Sequence, residues 1–175
     1  YYIVEKNIVI SNKIFFNSNP SLQNLERFKL LVNESKMFST SWVFLPAKSE
    51  DKNELINLNE RKYPEQRKIL LNLAAHWQPV QADTLKSIFL NFEKLLEIDK
   101  KIISNLKTFE DYEDPIKKME SELIIEDEVL PRTQLLLNSI NRLIEDKKNE
   151  IKLDENRLVE AITGLRILEI GRAHV

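Results

Sequence analysis

Ile116, Leu123, Leu130, Leu137, Ile144, Ile151, Leu158 and Leu165 form an unbroken series of large aliphatic residues, each seven positions after the last. Eight heptads in register predict one long helix. At 1.5 Å per residue the stripe runs roughly 75 Å, longer than the helices of compact enzyme domains, and a strict seven-residue period favours a left-handed supercoil against partner helices. A rod of that length spans distance, which suits signalling or scaffolding.

Three residues after each member stand Met119, Glu126, Thr133, Ile140, Lys147, Asp154, Ala161 and Leu168, so only half of the paired position is apolar. In a two-stranded zipper so many polar seam residues are costly. In a bundle some of them can turn toward a rim, a partner or a small ligand, which makes a bundle the better expectation. Pro131 lies inside the long helix and predicts a kink or short break near residues 127 to 131, with the heptad phase running through it.

The rest of the 175-residue chain reads as helix too. It is 42% hydrophobic and 31% charged, with two Gly and six Pro, too few turn residues for a many-stranded sheet. Leu25, Phe28, Val32, Ser35, Ser39 and Trp42 recur at alternating three and four, predicting a first helix that Pro46 ends. Upstream, Tyr1 to Phe16 is rich in β-branched residues and reads as a strand or as the leading part of that helix; with no partner strand, helix is preferred. A second helix starts near Ser49 and runs to Trp77, interrupted or kinked at Pro64. A third is capped by Asp83 and carries Leu85, Ile88, Phe92, Leu95, Asp99, Ile102, Leu106 and Phe109 on one stripe. Pro115 opens the fourth.

The expected fold is therefore all-α: an elongated antiparallel four-helix bundle, up-down-up-down, with a long kinked C-terminal helix. Its helices cover about 1–44, 49–77, 83–108 and 115–168. Short connections make neighbouring helices antiparallel, and the outer two project past the inner pair at the same end. Both chain ends then leave together, the layout of a domain strung between two membrane spans. Tyr1 reads as a cut point. Ile170-Gly171-Arg172-Ala173-His174-Val175 resembles a sequencing adapter translated in frame, so residues 170–175 are set aside as an artefact.

Charge and chemistry exclude several classes. Residues 109 to 130 hold nine acidic side chains against two basic ones, a local balance of −7 in a chain of net charge −2. That run repels nucleic-acid phosphates, and no basic stripe compensates. It reads as a solvated loop leading into a helix N-terminus, since a calcium loop needs a glycine at its sharp turn and none is there. Zero cysteines remove disulfides, thiolate metal sites and cysteine nucleophiles. No apolar stretch is long enough to span a membrane. No Gly-rich phosphate loop exists; His76, beside Trp77 at a helix end, reads as a packing or capping residue, and Leu73 occupies the position a di-iron Glu-x-x-His motif would need. No catalytic residue, metal or cofactor is expected.

Three segments carry a resemblance. They are Asn19-Pro20-Ser21-Leu22 through Ser35-Lys36-Met37 to Trp42-Val43; Tyr63-Pro64-Glu65 through Trp77; and Thr108-Phe109-Glu110-Asp111-Tyr112-Glu113-Asp114-Pro115 through Glu128-Val129-Leu130-Pro131-Arg132. In these, over residues 1–168, the chain resembles the extracytoplasmic four-helix-bundle sensor domains of bacterial transmembrane receptors. Such domains precede a second membrane span and a relay domain in histidine kinases, chemotaxis receptors and regulatory phosphatases. The resemblance implies a non-catalytic periplasmic input domain that dimerises, takes a small molecule or periplasmic protein as ligand, is tied to the inner membrane by flanking spans, and signals by helix displacement.

Within such a bundle the candidate ligand-binding residues are Asp99, Arg132, Ser35, Ser39 and Trp42. Asp99 is the one charge in its stripe and needs a partner, with Arg27, Lys36 and Arg132 the candidates, as structural ion pair or polar clamp. Ser35 and Ser39 either let helices approach closely or bond a ligand. Trp42 is a core or interface aromatic, or lines a cleft. The alternative reading is a cytoplasmic coiled-coil scaffold, which explains the heptads equally well and leaves no pocket.

Overall fold

A computed structural model describes residues 2–173; Tyr1, His174 and Val175, and with them the cut-point reading of Tyr1 and the end of the adapter-like segment, lie outside the described residues. No strand occurs among the described residues. The β-branched N-terminal segment is helical, α1 (Tyr2–Lys13), and a five-residue π-helical segment, Ile14–Ser18, joins it to α2 (Asn19–Phe44). Next come α3 (Ser49–Asn57), a second π segment (Leu58–Lys62) and α4 (Tyr63–Ala74). α5 (Pro79–Asn105), the short α6 (Phe109–Glu113), α7 (Pro115–Ile124), a third π segment (Ile125–Val129) and α8 (Leu130–Ala173) complete the described residues.

The three π segments share a cause. Each ends two residues before a proline: Ser18 before Pro20, Lys62 before Pro64 and Val129 before Pro131. A mid-helix proline cannot donate to the carbonyl four residues back, and its ring collides with that carbonyl. Those carbonyls belong to Phe16, Glu60 and Asp127, all inside the π segments, where the turn is widened by one residue. The N–H before each proline then reaches five residues back, from Asn19 to Ile14, Tyr63 to Leu58 and Leu130 to Ile125. The helix continues past the proline with its faces rotated.

That rotation overturns the single heptad seam. Through α7 and into the start of the third π segment the buried residues are Ser121 and Ile125; from the segment's last residue onward they are Val129, Thr133, Leu136, Ile140, Leu143, Ile144, Lys147, Ile151 and Asp154. The aliphatic series therefore faces inward from Leu137 onward, while its first members, Ile116 at 63% exposure and Leu123 at 47%, face solvent. Leu130 is exposed too. The inserted residue means that eight positions, not seven, carry a face across the break.

Two further boundaries shift. The third helix begins at Pro79, not at Asp83: the extended backbone of Gln78 (ψ 140) sets Pro79 at a first-turn position, where its missing N–H costs no bond. The second ends at Ala74, short of Trp77. The fourth starts as expected, with the Asp114 carboxylate accepting from Ile116 N (2.9 Å) and Lys117 N (3.3 Å).

The core is one cluster. Leu25, Phe28 and Val32 of α2, Leu70 of α4, Leu85, Phe89 and Phe92 of α5, and Ile140 and Leu143 of α8 are all buried in it. Phe28 is its aromatic centre, with ring centroids 5.3 Å from Phe89, 5.5 Å from Phe92 and 6.2 Å from Tyr63. Full burial of such side chains contributes roughly 1.5–3 kcal/mol each, and Phe28→Ala is expected to cost about 3–5 kcal/mol. α2 touches α4, α5 and α8 in this bundle-like arrangement, and α1 packs on α8.

Candidate functional site

Ser35 and Ser39 stand one turn apart on the inward stripe of α2, and their small side chains leave room for Asp99 of α5. Ser35 Oγ donates to Asp99 Oδ2 at 3.0 Å. Ser39 Oγ lies 2.5 Å from Asp99 Oδ1 and 2.8 Å from the Ser35 carbonyl oxygen. A serine has one proton to donate, and two acceptors are within its reach. Counting partners, the Asp99 carboxyl accepts from the Ser35 and Ser39 hydroxyls and from no cation, with Ser39 sharing its one proton between Oδ1 and the Ser35 carbonyl.

The electrostatics agree with that count. Asp99 is 1% exposed, so the loss of water around its charged form pushes its carboxyl up to about 7, against the opposing pull of the Ser39 and Ser35 hydroxyls. None of the expected cations arrives. Arg132 pairs at 3.6 Å with Glu128 one turn earlier on its own helix, on the surface, beside a shallow groove lined by Asn91, Leu135, Leu136 and Ser139. Arg27 lies over a surface groove with Glu34, Glu65 and Gln66, and Lys36 edges a different one. Helix phase explains this, because α2 turns Arg27 and Lys36 away from the stripe that holds Ser35 and Ser39.

Trp42 lies further along the same stripe. It is buried, its indole N–H donates to the Leu106 carbonyl at 2.9 Å, and its own carbonyl accepts from the Tyr112 hydroxyl at 2.6 Å. Lys52 Nζ sits over both rings, 5.1 Å from the Trp42 centroid and 4.7 Å from that of Tyr112. Trp42 therefore ties the ends of α2 and α5 to the α6–α7 turn. Burial pushes the Tyr112 hydroxyl up to about 12. The structure thus brings Ser35, Ser39 and Asp99 together, places Trp42 beside them on one stripe, and leaves Arg132 apart. Asp99, Ser35, Ser39 and Trp42 line none of the five principal grooves.

A second polar cluster escaped sequence reasoning. Lys13 of α1 reaches Glu150 and Asp154 of α8, both at 2.8 Å. Lys147, at 1% exposure, pairs with Glu150 at 3.1 Å and places its ammonium 4.3 Å from the Trp77 ring centroid. Trp77 in turn donates from its indole to Ser21 Oγ at 2.8 Å, and Arg157 adds a 3.4 Å bridge to Asp154. Burial lowers the Lys147 ammonium, with the Glu150 carboxylate pulling the other way. For Glu150 burial acts upward, but bonds from Lys13 and Lys147 outweigh it and hold the carboxyl below its usual range. The signal in the sequence was the pair Lys147 and Asp154, polar at consecutive seam positions; the partner 141 residues from Asp154 was not readable.

Beyond this cluster α1 and the end of α8 run on together. Tyr2, Ile3, Ile10, Ala161, Leu165 and Leu168 line a groove of about 520 Å³ whose walls come from α1 and α8 alone. His76 is exposed, and no group of three or more His, Asp or Glu among the described residues is placed to hold a metal ion. No helix among the described residues is long and apolar enough to cross a membrane. No protein-family model matches the chain, and no curated protein or solved structure matches it significantly.

Proposed function

We propose that the chain is an elongated antiparallel four-helix bundle, up-down-up-down, that serves as the extracytoplasmic input domain of a bacterial transmembrane receptor. In this reading α1–α2 and α7–α8 are the outer helices, each continuous through its π segment, and they connect to flanking membrane spans. The observation that supports it is the α1–α8 pair, whose groove draws no residue from α3, α4 or α5. The Lys13–Glu150–Asp154 bridges fasten the pair where it leaves the core, so a shift of α8 along α1 would be felt at Lys147 and Trp77. Displacement of one packed helix by an ångström or two is an established switching mode.

The parent gene tests the proposal directly. Apolar spans flanking residues 2 and 168, a relay domain after the second and a topology reporter placing the bundle outside the inner membrane are the expected result. Soluble helical sequence on both sides would replace the receptor by a helical scaffold.

A further inference from the structure

The rotated faces around the third π segment leave Ile116, Met119 and Leu123 pointing away from the core, at 63%, 55% and 47% exposure. Their spacing of three, then four, makes one apolar stripe along α7. Ser121 and Ile125 mark the opposite, buried side of the same helix turns, and Ile124 is packed against the core. Acidic side chains frame the stripe: Glu113 and Glu120 on α7, then Glu126 and Asp127, are all exposed. Of the two lysines in this stretch, Lys117 is held by Asp111 at 2.5 Å.

An exposed aliphatic stripe at helical spacing fits the apolar face of another helix. Charge chooses which kind. A second copy laid stripe to stripe would set −7 against −7. Nucleic acid and anionic lipid surfaces are repelled for the same reason. We infer that the outer face of α7 docks a basic amphipathic helix of another protein, its apolar residues on Ile116, Met119 and Leu123 and its lysines or arginines against Glu113, Glu120, Glu126 and Asp127. The inference stands independently of the receptor reading, since a scaffold could carry the same face.

A synthetic amphipathic helix with leucines along one face and lysines beside them is the probe, titrated into the isotope-labelled chain and followed by amide NMR shifts. Shifts concentrated on residues 113–127, weakened several-fold by salt, are expected. The double variant Ile116→Ser/Leu123→Ser, exposed and so expected to fold normally, is expected to weaken binding about thirtyfold. Glu120→Gln/Asp127→Asn is expected to remove most of the salt dependence. Four results would overturn the inference: shifts centred on the Tyr2–Leu168 groove, equal binding by a peptide with glutamates in place of the lysines, retention of the chain on anionic phosphatidylglycerol vesicles through α7, or a homodimer in sedimentation that Leu123→Ser dissociates.

Discussion

Asp99 and Lys147 are equally buried, at 1% exposure each, yet they solve the same problem in opposite ways. Lys147 is met by the Glu150 carboxylate and the Trp77 ring, and neighbouring Lys13 and Arg157 balance Glu150 and Asp154. Asp99 is met only by two hydroxyls. A charge removed from water is tolerated either by pairing or by giving the charge up. The place where α1 and α8 leave the core uses pairing; the contact between α2 and α5 uses protonation. The first holds its charges in pairs. The second, its carboxyl pushed up to about 7, is poised to change its charge near neutral pH.

The largest test of that contrast is Asp99→Asn. Because the folded carboxyl lies at about 7, above its unfolded value near 3.8, its neutral form stabilises the fold fully at acid pH. That contribution falls by about 1.4 kcal/mol per pH unit as pH rises from about 4 to 7, and is flat above. The asparagine variant is expected to be as stable as the parent near pH 4 and more stable by about 4 kcal/mol at pH 8, measured by urea unfolding at each pH. A pH-independent difference would sink the neutral-Asp99 account.

Next comes Glu150→Ala, which strands Lys147 in the core and is expected to cost about 3 kcal/mol. Adding Lys147→Met should recover most of the loss, because the stranded charge goes with it. If the double variant is no better than the single one, the two residues are not coupled. The sign of the pH dependence is also opposite here: Glu150 lies below its usual range when folded, so its contribution is present at neutral pH and lost as pH falls.

Smaller effects sharpen the picture at Asp99. Ser39→Ala is expected to cost about 1 kcal/mol, the worth of a neutral hydrogen bond, and to raise the Asp99 pKa further, since the hydroxyl favours the ionised form. A loss of several kcal/mol would mean that Asp99 is ionised and Ser39 solvates it. Arg132→Ala is expected to change stability by less than about 0.5 kcal/mol, because its pair with Glu128 is at the surface. A large loss there would mean that Arg132 reaches Asp99 after all.

What was legible in the chain was local. The stripe Leu25, Phe28, Val32, Ser35, Ser39, Trp42 is buried throughout, because six residues at helical spacing can share only one face. Asp99 was legible as the single charge in an otherwise apolar stripe, and so were its two serines. The π segments were not, although Pro20, Pro64 and Pro131 marked their places. The widened turn is a change in backbone hydrogen-bond register, and a perfect heptad of Ile116, Leu123 and Leu130 concealed the change of face. Lys13 with Asp154 was illegible for a different reason: nothing in either helix specifies a partner at the far end of the sequence.

The most direct measurement is the Asp99 titration itself, read from its carboxyl carbon by NMR in the parent chain, with Asp99→Asn to assign the signal. A midpoint near 7 is the result expected of a buried carboxyl held by Ser35 and Ser39 without a counter-ion. A midpoint at or below 4 would contradict it.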